Sequence, residues 1–305
     1  MEFEEYQRLA LTTDQVGMQR EEDGARIDIL VPLLGLAGET GEILAEYKKY
    51  LRDGPSHKLF KERFSEELGD LLWYLSNCAT KFGLSLDAVA SQNLSKCQAR
   101  WEHVMRDQAK FPISAFDADF PPGECLPRGF AAELSTVEED GVVRSICVVE
   151  GRRFGDPLTD NRYEDDGYRF HDVLHLAHAG VLGWSPIVRA FLKRKRKSKP
   201  RVDEVEDGGR AIAIEEGVAA MVFSFAERHF FLEGIDQVDY ELLRNIKSMT
   251  SHLEVGQCSA GQWESAILQG FAVWREVRRL NGGRVLVNLD TATIRFSEQG
   301  AEVDG

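Results

Sequence analysis

The sequence predicts a mainly α-helical protein made of two parts: a four-helix bundle and, after it, a helix-rich α+β domain. Three observations support this prediction. Apolar residues recur with the period of an α-helix through residues 1–107, and short turn sequences divide them into four segments. Proline and glycine become frequent at residues 108–128, which is typical of a linker. Two β-branched runs around an Asp-Gly turn then open the segment 129–305, and further helical periods follow.

Helix stop and cap signals separate the four segments of the first part. Gly83 is placed to end the third segment, because glycine readily adopts the left-handed conformation that closes a helix. Ser85 is placed to cap the fourth segment, because its hydroxyl can accept a hydrogen bond from a free backbone N–H. The predicted helices cover residues 2–22, 28–52, 58–82 and 85–106.

A β-hairpin is predicted at the start of the second part. Its strands are Phe130–Val137 and Val142–Val149, and Asp140-Gly141 supplies the positive φ angles that a short turn needs. The rest of this part is predicted to be helical up to a last strand, Arg284–Leu289. The predicted helices cover residues 168–182, 185–197, 210–233, 237–252 and 259–281.

The composition restricts the classes of function. The 305 residues are 43% apolar and carry 51 acidic against 37 basic side chains, a net charge of −14. This acidity argues against binding of nucleic acid or an anionic membrane through a broad cationic surface. It is compatible with an enzyme whose acidic side chains hold a metal-complexed phosphate. The sequence shows no secretory signal, no apolar run of the ~18 residues that span a bilayer and no CxxC motif, so a cytoplasmic protein with reduced thiols is expected.

Two pairs of carboxylates lie on consecutive predicted helices. Glu39 and Glu42 are three residues apart on the second helix, and so are Glu67 and Asp70 on the third, which places each pair on one helical face. Apolar residues surround both pairs, and four carboxylates in one bundle would repel each other unless a cation compensates them. Mg²⁺ or Mn²⁺, which prefer oxygen ligands, are suited to this. Either pair alone fits a solvated helix face, but the two together favour a metal site.

Glycines accompany both pairs, at Gly38, Gly41 and Gly69. A glycine inside a helix costs about 1 kcal/mol relative to alanine. We therefore expect these positions to serve either a close approach of helices or a bound ligand.

The same residues resemble a known signature. Gly38-Glu39-Thr40-Gly41-Glu42 is followed, after 24 intervening residues, by Glu67-Leu68-Gly69-Asp70-Leu71-Leu72-Trp73. This pattern resembles the ExxE…ExxD signature of the MazG-like, all-α nucleoside triphosphate pyrophosphohydrolases. Asn93-Leu94-Ser95-Lys96, with Arg100-Trp101 after it, is similar to the N-x-x-K-x-x-x-R sequence that ends the fourth helix of that family. The resemblance covers residues 1–106, about a third of the chain.

The resemblance implies a helical bundle, completed by dimerisation or higher homo-oligomerisation, that hydrolyses an NTP or dNTP to the nucleoside monophosphate and pyrophosphate. It implies that the four carboxylates bind Mg²⁺ and act in catalysis. It also implies that Lys96 and Arg100 contact phosphates and that Asn93 contacts the sugar or the base. Whether Glu39 or Glu42 orients the attacking water, and which base and sugar are preferred, are left open.

Four neighbouring side chains have two interpretations each. Lys48 and Lys49 follow Glu42 by two turns and either reach the phosphates or form a solvated pair. Trp73 and Tyr74 either stack on a base or pack in the core.

A second candidate site contains three histidines. His171, His175 and His178 are four and three residues apart, so on a helix they share one stripe that can offer two imidazoles to a second divalent metal. Asp172 stands where a metalloprotease motif has glutamate, which weakens that interpretation. The adjacent His-Asp is similar to the HD phosphohydrolases, whose other metal-binding residues the sequence does not place.

Further ligands for this second site have two sources, and the site itself has an alternative. Glu215 and Glu216, at the apolar start of a later helix, are one source, and the acidic loop at residues 156–166 is the other. The alternative is a set of histidines that line a partly buried helix face and hydrogen-bond locally.

The basic run Lys193–Arg201 is followed by the acidic run Asp203–Asp207, so this segment is locally balanced in charge. We expect an exposed loop here, with contact to a polyanion as the alternative.

The sequence therefore predicts a Mg²⁺-dependent nucleotide pyrophosphohydrolase. Its second part is expected to modify substrate range or assembly, or to add a hydrolytic or metal site. The alternatives are a nucleotide-binding sensor whose C-terminal half is the effector, and a fusion of two enzymes that act in sequence on one nucleotide.

Overall fold

The computed structural model describes residues 1–15, 27–105 and 116–297, with the backbone alone at 27 and 99–105. The chain forms two compact units, residues 1–98 and 99–305. The domain boundary predicted at residue 107 lies outside the described residues. Within the described ranges, no helix is both long enough and apolar enough to span a membrane.

The first unit confirms three of the four predicted helices almost to the residue. Its helices are α1 (Phe3–Leu11), α2 (Ile27–Asp53), α3 (Phe60–Lys81) and α4 (Leu86–Met105). Gly83 has a φ angle of +68° after the end of α3. The Ser85 hydroxyl accepts a hydrogen bond from the backbone N–H of Ala88 at 3.3 Å, so both predicted helix ends are confirmed.

The first predicted helix is too long, because α1 ends at Leu11. Thr12 and Thr13 donate their hydroxyls to the backbone carbonyls of Leu9 and Ala10, at 2.7 and 2.8 Å. These bonds satisfy carbonyls at the end of the helix, and threonine is itself a weak helix former. Residues 16–22 of the predicted helix lie outside the described residues.

Helix α3 is the centre of the first unit and packs against α1 and α2. Gln7 of α1 forms hydrogen bonds with the end of α3 and with the turn before α4. Its amide group donates to Thr80 Oγ1 at 3.0 Å and to the carbonyl of Leu84 at 2.8 Å, and its oxygen accepts from the N–H of Leu86 at 2.9 Å.

An antiparallel sheet forms one layer of the second unit. Its strands, in the spatial order β3-β2-β1-β4-β5, are β1 (Gly129–Glu139), β2 (Val142–Val149), β3 (Arg152–Arg153), β4 (Gly282–Asn288) and β5 (Thr293–Ser297). The hairpin and the last predicted strand are confirmed, and Asp140 and Gly141 form the turn with φ angles of 54° and 73°. Neither β3 nor β5 is predicted from the sequence, because β3 has two residues and β5 follows a tight turn.

Two helices cover one face of this sheet. They are α5 (Asp172–Leu182) and α10 (Ala260–Leu280), which also pack against each other. Glycines allow the close contact: a Cβ at Gly180 would lie 2.7 Å from Val287 on β4, and one at Gly270 would lie 3.1 Å from Ala177. The remaining helices are α6 (Pro186–Phe191), α7 (Pro200–Val205), α8 (Gly209–Glu227) and α9 (Tyr240–Thr250).

Two predicted helices of this unit are too long. The helix predicted at 185–197 ends at Phe191, because Lys193 adopts a left-handed φ of 58°. The helix predicted at 210–233 ends at Glu227. Phe230, Phe231 and Leu232 all have positive φ angles, which break the helix.

The basic run Lys193–Arg201 is not simply an exposed loop. Arg196 is 1% exposed and binds the carboxylates of Asp207 and Glu254. The part of the predicted linker at residues 116–128 is likewise packed on this unit, since Asp117 is buried and binds Arg189 at 2.6 Å.

Candidate active site

The two predicted carboxylate pairs lie on α2 and α3, which pack against each other. Glu39, Glu67 and Asp70 each place one carboxylate oxygen within 4.8 Å of the others. Glu39 and Glu67 are half-buried, and Asp70 is exposed. Glu42, one turn further along α2, is exposed and acts on Glu67 through its charge. These four residues are called the carboxylate cluster below.

Mutual repulsion within the carboxylate cluster changes the acidity of Glu67. Burial, a hydrogen bond with Glu39 and the charges of the other three carboxylates raise the pKa of Glu67. Two carboxyl groups can share a hydrogen bond only while one of them holds a proton. A divalent cation among these oxygens would replace that proton and cancel the repulsion. The all-oxygen donor set suits Mg²⁺ or Mn²⁺.

Tyr6 is a neighbour of the carboxylate cluster that the sequence motifs do not reveal. Burial and the charge of Asp70 raise the pKa of its phenol. Tyr6 comes near Asp70 through the packing of α1 on α3. A hydroxyl placed by tertiary packing leaves no spacing pattern in the sequence.

No described residue covers the surfaces of α2 and α3 at the three glycines of the carboxylate motifs. A Cβ added to Gly38, Gly41 or Gly69 would have no described atom within 4 Å. They therefore do not serve close packing among the described residues of this unit, which leaves a ligand or a partner molecule as the reason for them. The close approach of α2 and α3 is instead made by Gly35, where a Cβ would lie 2.3 Å from the Tyr74 ring.

Among the lysines and aromatic residues beside the carboxylate cluster, Lys49 and Trp73 form specific contacts within the first unit. Lys49 forms an ion pair with buried Glu46, and the Nε2 atom of His57 lies 2.9 Å from the second oxygen of Glu46. Lys49 is thus part of a structural ion pair, and Lys48 is exposed. The half-buried Trp73 donates its Nε1–H to Thr13 Oγ1 at 2.7 Å.

The predicted phosphate-binding residues lie on α4. Asn93 and Lys96 are exposed, and their described atoms form no hydrogen bond or ion pair with the carboxylate cluster. The thiol of Cys97 donates to Asn93 Oδ1 at 3.5 Å. The side chain of Arg100 lies outside the described residues.

The three histidines share one stripe at the start of α5, as predicted. His175 and His178 are buried, and their Nδ1 atoms lie 3.1 and 3.2 Å from the same oxygen of Glu215, on α8. That oxygen also accepts from Ser185 Oγ at 2.7 Å, and the second oxygen of Glu215 accepts from the N–H of Ile187 at 3.0 Å. Glu215 therefore orients this group of side chains.

Charges within this group shift its pKa values in opposite directions. Burial lowers the pKa of His175, but Glu215 and Glu216 outweigh burial and raise it to about 10. Burial raises the pKa of Glu215, but His175 and His178 outweigh it and lower the value to about 2. Burial raises the pKa of Asp172 to about 7.

The acidic loop before α5 does not supply ligands to the histidines. Asp160 and Asp165 bind Arg169 at 2.6 and 2.7 Å. Asp166 binds Arg162 at 2.9 Å. These ion pairs hold the loop itself, which leaves Glu215 and Glu216 as the carboxylates that reach the stripe.

The helical first unit and its carboxylate cluster define a protein that can hold a divalent cation beside an anionic ligand. Residues 30–105 match the family model of the MazG nucleotide pyrophosphohydrolase domain, and residues 111–300 match that of the MazG C-terminal domain. The chain therefore belongs to the MazG family, and its first unit carries the nucleotide pyrophosphohydrolase domain of that family.

A curated relative is similar to part of the chain. The Gene 37 protein of Mycobacterium phage L5 is 39% identical over 69 residues, which is 22% of this chain and 60% of the relative. The chain thus spans less than two thirds of the length of this relative. No solved structure matches the chain.

Proposed function

We propose that this protein hydrolyses a nucleoside triphosphate, NTP or dNTP, to the nucleoside monophosphate and pyrophosphate, with Mg²⁺ held by the carboxylate cluster. The observation that carries this proposal is the convergence of Glu39, Glu67 and Asp70 within 4.8 Å, which raises the pKa of Glu67 and leaves a position suited to a cation. A bound Mg²⁺ would neutralise phosphate charge and lower the pKa of a bound water.

The roles of the protein groups follow from their positions. Glu39, Glu67 and Asp70 are assigned to hold the cation. Glu42 is exposed and lies outside that close group, so it is free to accept a proton from the attacking water.

The substrate contacts are assigned to other helices. Lys96 and Arg100 on α4 supply positive charge for the phosphates, and Asn93 contacts the sugar or base. Trp73 is half-buried and keeps one ring face for stacking on the base.

Measuring pyrophosphate release from a panel of NTPs and dNTPs tests this function. We expect Glu67→Ala and Asp70→Ala to lower the rate by about 100-fold or more, because each removes a metal ligand. Glu66→Ala is the matched control, since Glu66 is exposed on the same helix outside the carboxylate cluster. Wild-type activity in both cluster variants would contradict the proposal, and tight nucleotide binding without pyrophosphate release would favour the sensor.

We also propose that the first unit pairs with a second copy of itself. One stripe of α2 exposes large apolar side chains to 52–66%: Leu30, Leu34, Leu44 and Leu51. Such a stripe is costly to leave in water. Light scattering on the full chain should give a dimer or higher oligomer that Leu34→Glu or Leu44→Glu dissociates, whereas Lys61→Glu, which changes an exposed residue on α3, should not. A monomeric wild type at micromolar concentration would contradict this.

A further inference from the structure

A second group of metal-ligating atoms lies where α5 meets the start of α8, in the second unit. The Nε2 atoms of His171 and His175 face the same carboxylate oxygen of Glu216, at 3.8 and 3.6 Å. The two imidazole rings are nearly perpendicular, with centroids 5.4 Å apart. The carboxylate of Asp172 lies within 4.8 Å of ligand atoms of both histidines. The two Nε2 atoms therefore face one Glu216 oxygen, and the Asp172 carboxylate lies close to both rings.

The other nitrogen of each ring is already held by the protein. His171 Nδ1 lies 2.9 Å from the backbone carbonyl of Tyr168, and His175 Nδ1 lies 3.1 Å from Glu215. A carbonyl oxygen only accepts, so Nδ1 of His171 carries its proton and the neutral ring presents a lone pair at Nε2. Glu215 accepts from Nδ1 of His175 in the same sense, and a metal at Nε2 would replace the second proton that the charges of Glu215 and Glu216 otherwise hold on this ring. A hydrogen bond to the far nitrogen is the usual support of a metal-binding histidine.

An independent observation also indicates a ligand at this position. The Nε2 atom of His175 is fully buried and has no hydrogen-bond partner within 3.5 Å among the described residues, because its contact with the Glu216 oxygen, at 3.6 Å, is longer than a hydrogen bond. A buried polar atom without a partner is unfavourable unless something binds it. The Tyr168 ring stacks on His171 with centroids 4.3 Å apart and fixes that ring as well.

His178 belongs to the support of this group rather than to its ligands. Its Nδ1 atom faces Glu215, and its ring lies beside those of Trp263 and Trp184, with centroid distances of 5.4 and 6.4 Å. His171 and His175 therefore remain as candidate ligands, and His178, about one helical turn after His175, packs in the aromatic core.

We propose that His171, His175, Glu216 and Asp172 form a binding site for a first-row transition-metal ion such as Zn²⁺. Ligand atoms around such an ion are about 3.0–3.5 Å apart. The two Nε2 atoms therefore need to move only a few tenths of an ångström closer to the Glu216 oxygen, and the Asp172 carboxylate, which lies within 4.8 Å of both histidines, needs to approach by up to about 1–2 Å. Imidazole nitrogen favours transition metals over Mg²⁺, which distinguishes this site from the all-oxygen carboxylate cluster. The Glu216 side chain is 47% exposed, which gives the ion a path from solvent and leaves room for a water ligand.

Titration with Co²⁺, a coloured probe for such sites, tests the proposal on the full chain. The protein is stripped with a chelator and titrated in excess Mg²⁺, which competes for the carboxylate cluster. We expect one equivalent of Co²⁺ per chain after gel filtration, with visible absorption that Zn²⁺ displaces. Glu216→Gln and His171→Ala should weaken binding by about 10-fold or more.

The controls separate binding from folding and from the nucleotide chemistry. Glu233→Gln and His252→Ala change exposed residues elsewhere in the unit and should bind Co²⁺ like the wild type. Glu216→Gln alters a half-exposed side chain, so its unfolding without metal should match that of the wild type. Co²⁺ binding is measured without reference to pyrophosphate release, and the Glu67→Ala variant should bind Co²⁺ like the wild type. A wild type that retains no Co²⁺, or unchanged binding in both Glu216→Gln and His171→Ala, overturns the proposal.

Discussion

Replacement of Arg196 by methionine should strongly destabilise the second unit. The guanidinium group binds Asp207 through Nε and one terminal nitrogen, at 3.1 and 2.8 Å. Its two terminal nitrogens bind Glu254 at 2.9 and 2.7 Å, and one of them also donates to the backbone carbonyl of Phe116 at 3.1 Å. Methionine keeps part of the apolar stem but leaves the fully buried carboxylate of Asp207 with only its longer ion pair to Arg189, at 3.8 Å.

The size of the effect follows from this burial. Removing one partner of a buried ion pair costs about 3–5 kcal/mol, because the remaining charge stays desolvated. For a unit of this size, that corresponds to a fall in Tm of about 6–20 °C. Arg201→Met is the matched control: Arg201 is 81% exposed and pairs with Glu204 in solvent, so its loss should cost at most about 1 kcal/mol.

Native-state hydrogen exchange of the α10 amides measures this stability directly. That helix is buried in the core of the same unit, so its slowest amides report the free energy of opening of the unit. We expect the Arg196→Met protein to lose about 3–5 kcal/mol there and the Arg201→Met protein to match the wild type. A loss below about 1 kcal/mol in Arg196→Met would refute the reasoning, since it would mean that the buried network contributes no more than a surface pair.

Two further predictions concern packing and thiol reactivity. Gly41→Ala should stabilise the first unit by up to about 1 kcal/mol in urea unfolding, because its Cβ meets no described atom, whereas Gly35→Ala should destabilise it by about 1–3 kcal/mol through the Tyr74 ring. Tyr74→Leu should rescue Gly35→Ala, and equal effects of the two alanines would contradict the packing. Burial raises the pKa of Cys258 to about 11, so alkylation followed by mass spectrometry should leave Cys258 unmodified at pH 8 while exposed Cys97 reacts. Equal labelling of the two thiols at pH 8 would be inconsistent with this burial.

The elements that follow from local sequence are the ones the structure confirms. The Gly83 and Ser85 signals place the end of α3 and the start of α4, because the atoms that end or cap a helix lie within a few residues. The Asp140-Gly141 turn fixes the hairpin for the same reason. The α1 end at Leu11 is less apparent, since the two threonine hydroxyls compete with a helical period that continues in the sequence.

Features that depend on distant residues are not predicted. In the sequence, Arg196 belongs to a basic run that we expect to be exposed. Its burial depends on an ion pair with Glu254, which is far away in the chain. Gly35 lies outside the glycine motifs, and its role comes from Tyr74 on the next helix. The spacing of the histidines predicts that they share one face of the helix. It does not predict which of them keep a ring nitrogen available for a metal.

The two candidate metal sites show why equal spacing leads to different chemistry. Both use side chains three or four residues apart on one helix and a partner from another helix. In the carboxylate cluster the side chains are half-buried or exposed, which suits Mg²⁺, an ion that retains several waters and binds through few carboxylates. At α5 the Nδ1 atoms of His171 and His175 are held by Tyr168 and Glu215, and oriented imidazoles are what a transition metal requires. We therefore expect the donor atoms, with their burial and the hydrogen bonds behind them, to determine which ion each site selects, rather than the spacing.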